Sequence, residues 1–397
     1  MARFKTIDNM ECSGKRVFVR ADLNVPAKGG KVTDATRIER FVPTVKDLVA
    51  KGAIAVVASH FGRPDGKIVP EMSLKIVQPE LEKYLGKPVT FVDDCIGDKV
   101  KNAVAVAKPG DVLLLENLRF YPEEEKNDAG FASRLAEYSD FYVNDAFSAA
   151  HRAHASTEGL ARLRPAFAGR LMQAELESLD KALENPQRPV MAIVGGAKVS
   201  TKLELLGNLI SKVDKLVIGG GMANTFLYAM GINIGKSLCE KDMADKARQI
   251  MAAASDKCKI ILPGSVVVAS QLAENQPVLT VPTTAIPDDK MVLDISELDA
   301  RIIQDEMADC KTLLWNGPVG AFEVKPFDAA TVEIAKFAAR LTDQKRLISV
   351  AGGGDTVSAL NMAGVEGAFT YVSTAGGAFL EWLEGKALPG VKALETN

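Results

Sequence analysis

Short β-branched runs alternate with amphipathic, helix-spaced stretches along this 397-residue chain, and the pattern runs through both halves. In the first half the runs are RVFVRADL, AIAVVASH, VTFVDD, DVLLLENL and FYVNDAF. In the second they are VMAIVGG, KLVIGGG, KIILPGSVVVA, TLLWNGP, RLISVAGGG and FTYVST. Between the first two, Ile38, Phe41, Val45, Leu48 and Val49 recur at helical spacing, and Gly52 marks the stop. SLKIVQPELEKYLG, DAGFASRLAEYS, TKLELLGNLISKV, KDMADKARQIMAAASDK and DAATVEIAKFAARLT read the same way. Strands alternating with helices make βαβ units, hence parallel sheets covered by helices on both faces. The expectation is an α/β protein with two doubly wound domains.

Length supports two domains, because single cores stop growing at about 250–300 residues. A boundary is expected where ENPQRP, a polar stretch with two prolines, follows the amphipathic LMQAELESLDKAL. That divides the chain into an N-terminal domain (1–183), a hinge (184–189), a C-terminal domain (190–379) and a tail (380–397), for which packing back on either half and remaining mobile both stay open. The formal net charge of −3, from 48 basic and 51 acidic residues, argues against nucleic acid as a partner, which needs a strong positive field. No run approaches the roughly 18 apolar residues of a membrane span, and MARFKTIDNMECSGKR has no apolar signal region. Cys12, Cys95, Cys239, Cys258 and Cys310 are scattered without a CxxC pair, the pattern of reduced, buried thiols. A cytoplasmic protein without a membrane partner is expected.

Ligands of open α/β sheets bind outside the carboxyl ends of the strands, and the chemistry-bearing residues fall there repeatedly. Arg20, Asp22 and Asn24 close the first strand; His60 and Arg63 follow the second; Arg119 follows VLLLEN; His151, Arg152 and His154 follow FYVNDAF; Arg37 opens the first helix. One face should gather Arg37, Arg63, Arg119 and Arg152, whose planar forks suit phosphate and carboxylate oxygens. The histidines are open to two readings, satisfied structural groups or contacts to such an anion. HRAH lacks a third ligand for zinc.

The second half carries lysines and glycines instead. VMAIVGGAKVSTK runs strand, glycine turn, helix start, a place where backbone N–H groups meet an anion; Lys198 and Lys202 would share a face if the helix has begun there. In AGGGDT, Gly352, Gly353 and Gly354 allow close backbone approach, and Asp355 either holds Mg²⁺ carried by phosphates or caps a helix. Two nucleotide motifs fail: the P-loop ending Gly235-Lys236-Ser237 has Met230 at its first glycine, and GGGMANTF has Asn224 at the third glycine of a dinucleotide turn. An NAD-dependent α/β dehydrogenase, the alternative reading, therefore lacks its fingerprint. Arginines in one half and lysines with glycines in the other suggest two phosphate-bearing ligands, one per domain, as in a kinase.

VFVRADLNVP, SHFGRPDG, LLLENLRF, AHRAHAS, GGAKVSTK, IGGGMANTF, WNGPVGAFE, AGGGDT and VSTAGGAFLEWLEGK, taken in order, closely resemble the phosphoglycerate kinase family over essentially the whole chain. The resemblance implies two Rossmann-like domains joined by a hinge. It implies phosphoryl transfer between ATP and the carboxylate of 3-phosphoglycerate, with 1,3-bisphosphoglycerate and ADP on the other side, Mg²⁺ accompanying the nucleotide, and a monomer. By matching position it implies Asp22, Leu23, Asn24, Arg37, His60, Phe61, Gly62, Arg63, Arg119 and Arg152 for the phosphoglycerate. Lys202, Gly221, Asn316, Glu323 (on the ribose), Gly353, Gly354, Asp355 and Thr356 would serve the nucleotide, with Asp355 also toward Mg²⁺. Arg37, Lys198, Gly354 and Gly377 would act on the transferring group. Two positions depart from the family pattern. Ala375 stands in Ser373-Thr374-Ala375-Gly376-Gly377 where the family has glycine, and its methyl is expected to restrict the backbone; Ser265 stands where an aspartate is more usual.

Overall fold

The computed structural model describes residues 4–254 and 256–395. The chain forms two compact units: one ends at Leu176 and takes the chain back at Ala387, and the other runs Glu177–Lys386. The expected linker, 184–189, lies inside the second unit. Thr312 Oγ1 donates to the Gln187 carbonyl at 2.7 Å, the Val190 N–H donates to Asp214 Oδ2 at 2.6 Å, and Arg188 pairs with Asp214. Polar, proline-bearing sequence looks like linker, but here its backbone groups are bonded to strand ends. The expected tail also divides later, at 387, because residues 380–383 complete the helix Gly376–Leu383.

In the first unit the strands are β1 (Arg16–Ala21), the short hairpin β2 (Ala27–Lys28) and β3 (Lys31–Val32), then β4 (Ile54–Ala58), β5 (Thr90–Val92), β6 (Val112–Leu115), β7 (Phe141–Asp145) and β8 (Ala166–Ala168). Six of them make a parallel sheet in the order β5-β6-β4-β1-β7-β8. The central strands are buried on both faces, as β-branched runs without alternation require. The helix Thr36–Ala50 lays Ile38, Phe41, Val45 and Leu48 on Val17, Val19 and Val57. Register sets the edge of the sheet: Arg20 pairs with Ala58 on one side and with Asn144 on the other. The residues that follow β1, β4 and β7 therefore leave the sheet at one level.

The second unit holds β9 (Val190–Val194), β10 (Lys215–Ile218), β11 (Lys259–Ile261), β12 (Ser265–Ala269), β13 (Leu279–Pro282), β14 (Met291–Ile295), β15 (Thr312–Asn316), β16 (Ile348–Gly352) and β17 (Tyr371–Ser373). Its parallel sheet runs β11-β10-β9-β15-β16-β17, so the strand order reverses between β9 and β15. Trp315, Ile193 and Leu313 pack there against Ile303, Met307, Ile334 and Ala338 of the helices Glu297–Ala308 and Ala329–Asp343. KIILPGSVVVA is not one strand. Pro263, which has no N–H to donate, separates β11 in the parallel sheet from β12 at the centre of an antiparallel sheet, β13-β12-β14. This third sheet is an addition to the expected pair of parallel sheets.

Candidate active site

At the carboxyl edge of the first sheet the side chains form a connected polar layer. Arg37 Nη1 lies 2.5 Å from Asp22 Oδ2, which also accepts from the Ser148 hydroxyl. Arg37 and Asn24 line a recess of 430 Å³ with Val25, Pro26 and Asp34. Asn24 Oδ1 accepts from the Gly62 N–H at 2.9 Å, and the Gly62 carbonyl accepts from Arg119 Nη1 at 3.0 Å. Arg119 Nε is 3.2 Å from Glu125. Arg63 and Arg152 are exposed. Leu23 and Phe61 are buried; their N–H groups donate to Ser59 Oγ and Asn117 Oδ1, which fixes the two loops to each other.

The charges in this layer sense one another. Burial pushes the His60 imidazole down to about 3; Asp22 opposes the fall, and Arg20, Arg119 and Arg37 add to it. Burial likewise takes His154 down to about 4, helped by Arg20, Arg119 and Arg152. Both imidazoles are neutral at pH 7. Burial would lift the Asp22 carboxyl, but His60, Arg37, Ser148 and the Asn24 amide hold it below the usual carboxylate range. Since His60 is neutral, the standing positive charge beside Asp22 is that of Arg37. Burial also lowers Arg119, with Arg20 and Arg63 contributing against Glu125 and Glu124. Arg20, Arg37, Arg63, Arg119 and Arg152 thus all act on one another or on these two histidines, an arrangement that favours an anion. Arg20, fully buried, is committed elsewhere: its Nε donates to Ser156 Oγ at 2.7 Å, and Ser156 donates to Glu124 at 2.5 Å.

In the second unit, the helices Gly220–Ala229, Gly354–Met362 and Gly376–Leu383 begin just beyond β10, β16 and β17. A helix start at the carboxyl edge favours an anion, although in the first of these the Gly220 N–H is taken by the Val319 carbonyl and the Met222 N–H by the Gly196 carbonyl. Gly353 caps the second of them with φ +98, and a Cβ there would lie 2.8 Å from Asn316 Nδ2, so only glycine suits the position. Asp355 is therefore in the first turn and exposed, not the cap. Ala375 caps the third helix at φ −96 and is buried, so its methyl does not strain the backbone as expected.

Lys198 and Lys202 do not lie on a helix face, because the helix starts only at Leu203. Lys198 is exposed. Lys202 turns inward to the strand-order reversal and donates to the Gly195 carbonyl (2.6 Å), the Asn316 carbonyl (3.1 Å) and Asn316 Oδ1 (2.6 Å). Burial pulls its amine down to about 8 against the charge of Asp355. Asn316 also donates to the Gly352 carbonyl at 2.9 Å. Thr356, buried, accepts from the Gly317 N–H and donates to the Gly352 carbonyl, so its hydroxyl is spent inside the protein.

Beside this edge lies a cavity of 450 Å³. Gly196, Ala197, Gly220 and Gly221 line it together with Pro318 to Glu323 and the exposed Asp355. Leu238, Leu272, Leu293 and Phe322 make it largely apolar, which suits a base and ribose next to a phosphate edge. Sequence reasoning named Gly221 and Glu323 of this lining but missed Leu238, Leu272 and Leu293, and it set aside Lys236 with the failed P-loop although Lys236 lines the cavity. Ser237 of that segment is structural, bonding the Ile234 carbonyl and the Val292 N–H. Gly377 lies exposed in the first turn of its helix, outside the cavity lining.

A family model described as phosphoglycerate kinase matches residues 7–386. This chain belongs to the phosphoglycerate kinase family. The curated phosphoglycerate kinase of Ruegeria sp. (strain TM1040) is 60% identical over 394 residues, covering 99% of this chain and 100% of that one. That of Methylorubrum populi is 59% identical over 399 residues, covering 100% of both. Among solved structures, phosphoglycerate kinase from Coxiella burnetii has a TM-score of 0.92 at 43% identity, covering 98% of each chain. The enzyme from Pyrococcus horikoshii OT3 has a TM-score of 0.80 at 29% identity, again over 98% of each. Phosphoglycerate kinases transfer a phosphoryl group between ATP and 3-phosphoglycerate in glycolysis, and this chain is a phosphotransferase of that kind. The dehydrogenase reading falls with this assignment. No described helix is long and apolar enough to cross a membrane.

Proposed function

We propose that the arginine layer of the first unit holds 3-phosphoglycerate and that the cavity of the second holds the nucleotide, each ligand on its own unit. The reading is supported by the segregation of chemistry: Arg37 at a recess, with Arg20, Arg63, Arg119 and Arg152 acting electrostatically on the same layer, in one unit, and an apolar cavity beside a glycine- and lysine-rich edge in the other. Arg63, Arg119 and Arg152, with Asp22, Asn24 and His60, bind the phosphoglycerate. Leu23, Phe61 and Gly62 shape that pocket through their backbone. Lys202, Gly221, Asn316, Glu323, Gly353, Gly354, Asp355 and Thr356 bind or frame the nucleotide.

The acceptor is a carboxylate, ionised at pH 7, so no general base is needed. Its oxygen attacks the γ-phosphorus of ATP in line; the bond to the β–γ bridging oxygen breaks, and ADP leaves with the electron pair. Arg37, Lys198 and the N–H groups at Gly354 and Gly377 neutralise charge on the transferring group, and catalysis is positioning plus this preorganised field. Mg²⁺ would neutralise phosphate charge. Among described residues no three acidic, His or Cys groups cluster for a metal, but the exposed Asp355 suits the mode in which one carboxylate and the phosphates share the ion. The enzyme works as a cytoplasmic monomer that closes on its two ligands, which excludes water from the transfer.

A coupled assay with ATP and 3-phosphoglycerate tests the division of labour. Arg119→Ala should raise the KM for 3-phosphoglycerate alone, and Glu323→Ala the KM for ATP alone. Both KM values rising together in either variant would refute it.

A further inference from the structure

Asp294 is a lone carboxylate in the apolar run MVLDI, with 2% of its surface exposed. It belongs to β14, outside the motifs that mark this site, yet it stands at the back of the nucleotide cavity. Its Oδ1 accepts from the Ile295 N–H at 2.9 Å and its Oδ2 from the Ala330 N–H at 3.1 Å. Ala330 is in the first turn of the helix Ala329–Asp343, whose own N-cap, Asp328, makes no side-chain bond to it. Asp294 thus supplies from another element an acceptor that the helix start lacks.

The same carboxylate touches the cavity wall. A Cβ on Gly320 would lie 2.2 Å from Asp294 Oδ1 and 2.7 Å from the Phe327 carbonyl, so segment 318–323 packs flush against the carboxylate. Leu293, the neighbouring residue, accepts from the Ala321 N–H at 2.7 Å. One residue beyond Ala330, Thr331 Oγ1 accepts from the Val319 N–H at 3.1 Å, and the Val319 carbonyl accepts from the Gly220 N–H at 2.8 Å. Asp294 is therefore bonded, within few steps, to both lips of the cavity.

We propose that Asp294 is a positioning residue for nucleotide binding: it locks segment 318–323, which carries Phe322 and Glu323, by holding the first turn of the following helix and filling the space left by Gly320. The proposal rests on the assignment of this cavity to the nucleotide. Burial lifts the Asp294 carboxyl to about 7; its two N–H donors oppose the rise and Asp328 adds to it. A group so costly to bury is weak support for stability and better explained by what it orients.

Asp294→Asn keeps the shape but turns an NH₂ toward one of the two N–H donors. Leaving a buried donor unsatisfied displaces the wall, and the KM for ATP should rise about tenfold while kcat and the KM for 3-phosphoglycerate stay within about twofold. A purely structural residue would instead lower the active fraction, so that kcat falls and both KM values hold; that result overturns the proposal. If Asp294→Asn does not fold, Gly320→Ala presses on the same carboxylate and should give the same split, and unchanged KM values there would equally overturn it. Glu323→Ala separates the two layers of argument. A raised KM for ATP in Glu323→Ala with an unchanged one in Asp294→Asn sinks Asp294 alone, and no change in either sinks the cavity assignment.

Discussion

Lys202 offers a test that uses the free enzyme's own electrostatics. Its ammonium has three N–H donors, and all three are met by the Gly195 carbonyl, the Asn316 carbonyl and Asn316 Oδ1. Neutral acceptors do not replace water fully, and burial draws its pKa from 10.5 to about 8. Holding the charge there costs roughly 3 kcal/mol, which a phosphate oxygen of bound nucleotide would offset. About nine-tenths of the free enzyme carries the charge at pH 7 and about one-tenth at pH 9. The kcat/KM for ATP should therefore fall about tenfold per pH unit above 8. The kcat at saturating ATP should stay level to higher pH, because bound phosphate favours the protonated amine. Stability moves the other way. Between about 8 and 10.5 the unfolded chain binds more protons at this lysine than the folded one, so this group makes the fold more stable as pH rises. Loss of activity across that window cannot then be ascribed to the unfolding of this site. Lys202→Arg keeps its charge throughout and should lack the alkaline limb, even at a lower plateau. Steady-state kinetics from pH 6.5 to about 9.5 would settle it. A level kcat/KM for the parent enzyme, or an unchanged limb in Lys202→Arg, would refute the reasoning.

Arg37→Ala should lower kcat by ~10²–10³ while weakening 3-phosphoglycerate binding less than about tenfold, as loss of a preorganised transition-state donor does; an unchanged kcat with a raised KM would assign Arg37 to ground-state binding. Ala375→Gly restores the residue usual in the family, but the position has φ −96, so kinetic constants should stay within about twofold and the melting temperature should not rise. Small-angle scattering with both ligands bound should give a smaller radius of gyration than with either alone; equal radii would count against closure on the ligands.

How far the sequence discloses this protein depends on whether a function is written locally. Strand ends are local. A parallel sheet brings them to one level by register, so Asp22, His60 and Arg119, each a few residues past an apolar run, could be gathered on one edge before any coordinates. The glycine-rich starts at Gly220, Gly354 and Gly376 are local for the same reason. Other features needed partners distant in the chain. An apolar run does not announce that Pro263 will send its two ends into different sheets. Helical spacing suggested that Lys198 and Lys202 share a face, yet one is exposed and the other folds inward onto Asn316, 114 residues away in sequence. Residue type also conceals commitment. Thr356 and Asn316 look available to a ligand, but their side chains already bond the Gly317 N–H and the Gly352 carbonyl. They frame the carboxyl edge of the sheet more than they reach from it.

The same logic explains why Leu238, Leu272 and Leu293 of the cavity lining went unseen while the charged edge did not. Catalysis by charge needs few residues of rare type at fixed places, and such residues stand out in any string. An apolar cavity wall needs only surface of the right shape, which Leu238, Leu272, Leu293 and Phe322 supply from separate segments, indistinguishable from core residues until they are brought together. What does stand out is a misfit. An aspartate inside MVLDI contradicts the burial of its strand, and a glycine set against it leaves room for that carboxylate alone. Such local contradictions are where a sequence of this class carries information that its motifs do not. Asp145 repeats the pattern in the first unit. It is buried in β7, it accepts from the Leu171 and Met172 N–H groups at the next helix start, and Gly169 is packed against it. Both units therefore bond the first N–H groups of a helix to a carboxylate borrowed from a strand, with a glycine packed against that carboxylate in each case.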